Sequence, residues 1–134
     1  MVFEDAIKSL GKEFGVELAP EDGVAAFTVS GDGGDSVEIV VREVEGHAAA
    51  DVSADLGELP AEHPEGLLMA MLEANHLFGG TGGASLSVEG TRAKLERRFS
   101  LAELGRGEGG SVLVPFLATV REWRDAVAQG GGQV

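Results

Sequence analysis

The stretch Glu65-Gly66-Leu67-Leu68-Met69-Ala70-Met71-Leu72-Glu73-Ala74-Asn75-His76-Leu77-Phe78 decides how the rest of the chain is read. It is rich in strong helix formers, holds no proline and only one early glycine, and follows Pro60 and Pro64, so it predicts a helix from Glu65 to Phe78. At about 100° per residue its apolar side chains cover an arc of roughly 220°, with Met69, Glu73 and His76 outside it. One sheet cannot cover so wide an arc. The helix therefore predicts a second packing partner, and in a chain of 134 residues that partner is expected to be another copy of the chain.

Three strands precede this helix. Val24 to Val29 and Val37 to Val44 are strand formers joined by Gly31-Asp32-Gly33-Gly34-Asp35, whose glycines suit a hairpin turn. After Glu45-Gly46, the residues Ala48, Ala50, Val52, Ala54 and Leu56 alternate with His47, Ala49, Asp51, Ser53 and Asp55, which predicts a strand with one wet face.

Two more strands follow. Ala84, Leu86 and Val88 share one face, and after a turn at Glu89-Gly90 the residues Ala93, Leu95 and Phe99 alternate with charged ones, although Arg97 interrupts the apolar face. Outermost are two helices. Phe3, Ile7, Leu10 and Phe14 form a narrow stripe that Gly15 ends, and Val112, Leu113, Phe116, Leu117, Val120, Trp123 and Val127 form the last, with Pro115 near its first turn. The predicted order is α-β-β-β-α-β-β-α, an α+β domain with a mainly antiparallel five-stranded sheet and three helices. Residues 1–129 are expected to form one domain, and 130–134, Gly130-Gly131-Gly132-Gln133-Val134, a flexible tail.

Composition narrows the function. A net charge of -13 opposes nucleic acid and anionic membranes as partners, and the absence of Cys removes disulfides and thiolate chemistry. The start Met1-Val2-Phe3-Glu4-Asp5 is acidic where a secretory signal is basic, and no apolar run is long enough to span a bilayer, so a cytoplasmic protein is expected. The basic group Arg92, Lys94, Arg97 and Arg98 suits a solvated strand face that offsets neighbouring carboxylates.

No reaction is written in the sequence. His47, Asp51 and Asp55 share one face of a strand, but an extended strand spreads them over about 26 Å, too far for one metal or one proton transfer. His63 and His76 lack the one-turn spacing that grips zinc. Gly79-Gly80-Thr81-Gly82-Gly83 leads from helix to strand and lacks the Lys-Ser/Thr ending of a phosphate loop, and no Gly-x-Ser-x-Gly elbow occurs. The expectation is a binding protein rather than an enzyme, with no catalytic, cofactor-binding or metal-binding residues, no cofactor, and no tight binding of divalent metal or ATP.

The element order and the run from Leu67 to Phe78, followed by glycines and Ser85-Leu86-Ser87-Val88, resemble the CesT/SycE-like (Tir chaperone) class I chaperones of type III secretion. The aromatic and basic finish Val120-Arg121-Glu122-Trp123-Arg124 is similar to the family's last helix. The resemblance implies a homodimer that holds the amino-terminal segment of a secreted effector in a secretion-competent form, without ATP hydrolysis. On that reading Leu67, Leu68, Met71, Leu72 and Asn75 supply the dimer interface, while Phe3, Ile7, Val24, Phe27 and Val29 border the effector-binding surface. Two other classes stay open: a small α+β ligand-binding protein or enzyme whose pocket gathers His47 with distant residues, and a dimeric adaptor without a client.

Overall fold

A computed structural model describes residues 2–30, 36–76, 83–105 and 109–129. The predicted turn at Gly31 to Asp35, the helix end at Leu77 and Phe78, residues 79–82 and 106–108 of the two glycine loops, and the tail 130–134 lie outside them. The elements are α1 (Phe3–Glu13), β1 (Val24–Ser30), β2 (Ser36–Val44), β3 (Ala49–Glu58), α2 (Glu65–Asn75), β4 (Ser85–Glu89), β5 (Arg92–Ser100), α3 (Leu101–Gly105) and α4 (Gly109–Ala128). The five strands form one sheet in the order β1-β2-β3-β5-β4, antiparallel in the pairs β1–β2, β2–β3 and β4–β5. The α+β architecture is the one the sequence predicts, with a fourth helix, α3, that the apolar periodicity did not show.

The chain divides into two compact units. The first comprises residues 1–54 and 98–114. Its helix α1 buries Phe3, Ile7 and Leu10 of the predicted stripe, and Ala6 beside them, while the stripe's fourth member, Phe14, is half-buried, caps the helix and sets its ring 5.5 Å from that of Phe27. The helix stops in a Schellman motif: the Val16 N–H donates to the Gly11 carbonyl and the Gly15 N–H to that of Lys12, with Gly15 at φ 69°. Phe27, Val37, Ile39, Val41 and Val52 are buried on the strands, as period two requires.

α3 also belongs to this unit and starts from a reciprocal cap. The Ser100 hydroxyl oxygen accepts from the Glu103 N–H at 3.0 Å, and the Glu103 carboxylate accepts from the Ser100 N–H at 2.9 Å. The strand predicted from His47 onward begins at Ala49 instead, because Ala48 adopts φ 48° in the preceding turn and its carbonyl accepts from the Leu101 N–H.

The second unit comprises residues 55–97 and 115–134. Within it Leu56, Leu67, Met71, Leu86, Leu95, Phe116, Leu117, Val120 and Val127 are buried. α4 begins at Gly109, several residues before the predicted start, so Pro115 lies inside the helix rather than in its first turn. Arg97, which breaks the apolar alternation of β5, is half-buried and sits where Gly83 has no side chain: a Cβ there would stand 3.7 Å from the guanidinium.

Candidate functional site

α2 carries the first candidate surface. Its wide apolar arc resolves into two faces. Leu67, Met71 and Ala74 are buried within the unit, whereas Leu72 is 66% exposed, Met69 is 58% exposed and Leu68 is half-buried. Of the five residues expected at a dimer interface, Leu68 and Leu72 thus offer surface, and Leu67 and Met71 serve the core beneath it. Met69, placed outside the arc by the sequence reading, joins the exposed group because it follows Leu68 and precedes Leu72 by three positions, a spacing that returns to the same side of a helix.

Asn75 takes a role that no sequence pattern marks. Its amide N–H donates to the Leu86 carbonyl at 2.9 Å while its amide oxygen accepts from the Leu86 N–H at 2.8 Å. These bonds tie the end of α2 to β4, and the next residue, His76, is extended at ψ 112°, while the predicted continuation to Leu77 and Phe78 lies outside the described residues.

The second candidate surface is on the first unit. Phe3, Ile7 and Phe27, expected at the rim of an effector site, are buried, and Val24 and Val29 are half-buried. Accessible space near α1 includes a cleft of about 770 Å3 lined by Lys8, Ser9, Lys12 and residues 15–19, with Val16 and Leu18 as apolar wall, and a smaller one of about 310 Å3 lined by Val2, Phe3, Glu4, Pro20, Gly23 and Glu43.

The edge strand β1, in the same unit, offers backbone of its own. The Glu43 N–H donates to the Gly23 carbonyl, so in an antiparallel ladder Ala25, Phe27 and Val29 also face β2. The alternate residues point outward. Val24 uses its outward groups on Glu21 across the Asp22-Gly23 turn, whose φ values are 53° and 74°. Ala26 and Thr28 turn theirs to the open edge, where, among the described residues, no strand of the sheet lies.

The charged group on β5 is engaged as charge matching predicts. Arg98 donates to Asp51 at 2.8 and 3.2 Å, Arg92 donates to Asp55 in a second two-pronged pair with its shortest contact at 2.6 Å, and Lys94 pairs with Glu89 at 3.1 Å. The hydrogen bond from Arg92 holds the Asp55 carboxyl below its ordinary value. Two of the three residues in the His47, Asp51, Asp55 series are therefore committed to arginines, and His47 lies in the turn before β3. Among the described residues no three His, Asp or Glu side chains are grouped to hold a metal, and no helix is long and apolar enough to cross a membrane.

A profile of the Tir chaperone protein (CesT) family matches residues 5–124. The chain belongs to that family. This places it among the type III secretion chaperones, whose resemblance the α2 run and the element order had carried. A comparison with curated proteins found no match.

Solved structures share the chaperone's fold. A chain of the ExsC-ExsE complex superposes with a TM-score of 0.70 at 13% identity, covering 95% of this chain and 97% of that one. A chain of the HopA1-SchA chaperone-effector complex gives 0.61 at 14% identity over 92% and 94%, respectively. A chain of the heterodimeric ExoU-SpcU complex from the type III secretion system of Pseudomonas aeruginosa gives 0.62 at 17% identity over 96% and 97%. At such identities it is the fold that is held in common.

Proposed function

We propose that the chaperone binds the amino-terminal segment of a secreted effector in the bacterial cytoplasm and keeps it extended and secretion-competent, acting as a homodimer and without catalysis of its own. The observation that carries this reading is the outward backbone of Ala26 and Thr28 on the edge strand β1, beside half-buried Val24 and Val29. An extended peptide gains affinity from backbone hydrogen bonds to such an edge and specificity from side chains that enter nearby apolar space. The cleft lined by Lys8, Lys12, Val16 and Leu18 is partly apolar space in the same unit. Membership of a chaperone family and likeness to chains of two complexes, one a chaperone-effector complex and one from a type III secretion system, support the same client class.

The homodimer rests on Leu68, Met69 and Leu72, which leave an apolar strip of α2 facing solvent.

The test is co-expression with candidate secreted proteins followed by pull-down, with Thr28→Pro as the variant. The Thr28 N–H points away from β2, so proline there removes a donor for the client and no bond of the sheet. Client capture should fall at least roughly tenfold at an unchanged melting temperature. Undiminished capture by folded Thr28→Pro, or no client bound at micromolar concentration by the wild type, overturns the reading.

A further inference from the structure

β4 is the other edge of the sheet, and its backbone follows a simple alternation. Glu89 and Arg92 flank the two-residue turn Gly90-Thr91, with Gly90 at φ 63°, and are paired in register. Residues that flank such a turn hydrogen-bond to each other, so Ser85, Ser87 and Glu89 face β5 while Leu86 and Val88 turn their N–H and C=O groups outward. Both outward groups of Leu86 are taken by the side chain of Asn75. An amide side chain carries one acceptor and a donor in the geometry of a peptide unit, and it occupies the place a neighbouring strand would fill.

We infer that Asn75 closes the β4 edge against strand addition by a second copy of the chain, leaving the apolar face of α2 as the surface through which copies meet. Edge strands are ordinarily guarded by proline, by lysine or by a bulge. β4 has none of these: its sequence is Ser-Leu-Ser-Val-Glu, and Val88 is 43% exposed at its outer end. A five-residue strand has two outward residues. With Leu86 engaged, an incoming strand finds only the groups of Val88, too few to hold a pair of strands in register. Asn75 acts here as a positioning residue, through the backbone of Leu86 and not by touching the second copy. The inference does not depend on which client the chaperone serves.

The experiment uses the full chain. Asn75→Leu keeps the volume and deletes both hydrogen bonds; Asn75→Asp keeps an acceptor for the Leu86 N–H and loses the donor to its carbonyl, and serves if the first variant does not fold. Hydrogen exchange at the Leu86 amide should quicken roughly tenfold or more in Asn75→Leu. Sedimentation should show concentration-dependent species larger than those of the wild type. Adding Val88→Pro, which removes an outward N–H and no β4–β5 bond, should return the size to that of the wild type. Unaltered Leu86 exchange overturns the inference, as does a folded Asn75 variant that sediments like the wild type. Larger species that persist with Val88→Pro and vanish with Leu72→Asp overturn it as well, since they arise from α2.

Discussion

The carbonyl oxygen of Val16 stands 2.6 Å from the point where a side chain on Gly11 would begin, and the Leu18 side chain is only 3.1 Å away. The same carbonyl-bearing segment folds back on α1 through the Val16 N–H bond to Gly11 at 2.8 Å. Alanine normally gains about 1 kcal/mol over glycine inside a helix. Here the obstructing atom is backbone and cannot step aside, so overpacking outweighs that gain. Gly11→Ala should lose about 1–3 kcal/mol in denaturant unfolding. An unchanged or raised midpoint would show that the turn after α1 yields freely.

Ser100 and Glu103 exchange hydrogen bonds at the start of α3. Ser100→Ala should cost about 1 kcal/mol, because it leaves the Glu103 N–H without its cap. Glu103→Gln, which still offers an acceptor to the Ser100 N–H, should cost less than Glu103→Ala. Equal losses from the two Glu103 variants would remove the cap from the account of how β5 turns into α3.

Asp55 titrates below its ordinary value because Arg92 donates to its ionised form. A carboxyl whose folded pKa is depressed adds stability above its unfolded value, near pH 3.9, and loses that contribution as pH falls through the lower folded value. Asp55→Asn should therefore reduce the loss of stability across that acid range. Both partners are more than a third exposed, with side-chain accessibilities of 48% for Arg92 and 39% for Asp55, so solvent screens the pair and its effect should shrink further in molar salt. An identical acid limb in Asp55→Asn, measured by chemical unfolding at several pH values, would contradict the assignment.

Leu67 and Leu72 separate folding from assembly on one helix. Leu67 has no exposed surface, so Leu67→Ala should cost about 2–5 kcal/mol. Leu72 is mostly exposed, and Leu72→Asp should leave the melting temperature of the dissociated chain nearly unchanged while light scattering at micromolar concentration shows a monomer. A dimer that survives Leu72→Asp would displace the proposed interface from this face of α2.

Much of the architecture was legible because burial imposes a period. The alternation from Ala50 to Leu56 and the stripe Phe3, Ile7, Leu10 both name the residues that are buried. α3 was missed because five residues are too few to show a helical period, yet Ser100-Leu101-Ala102-Glu103 spells the capping pattern that would have found it. On the candidate surfaces the outcome is different. Phe3, Ile7 and Phe27 have the apolar character expected of a binding rim, but the same character drives residues into a core, and here burial took them.

The sequence by itself determined the types and order of all the elements but α3, the acidity, and the wet and dry faces of β3 from Ala50 to Leu56 and of β5 at Ala93, Leu95 and Phe99, since these depend on local propensity, composition and period. Only the tertiary structure decided which apolar residues of α2 stay outside, that Asp51 and Asp55 face Arg98 and Arg92, and that Asn75 serves the edge of β4. Those outcomes depend on which distant groups become neighbours. An amide eleven residues before Leu86 carries no mark of its partner until chain reversal brings its donor and acceptor within 3 Å of a strand edge that would otherwise stand open.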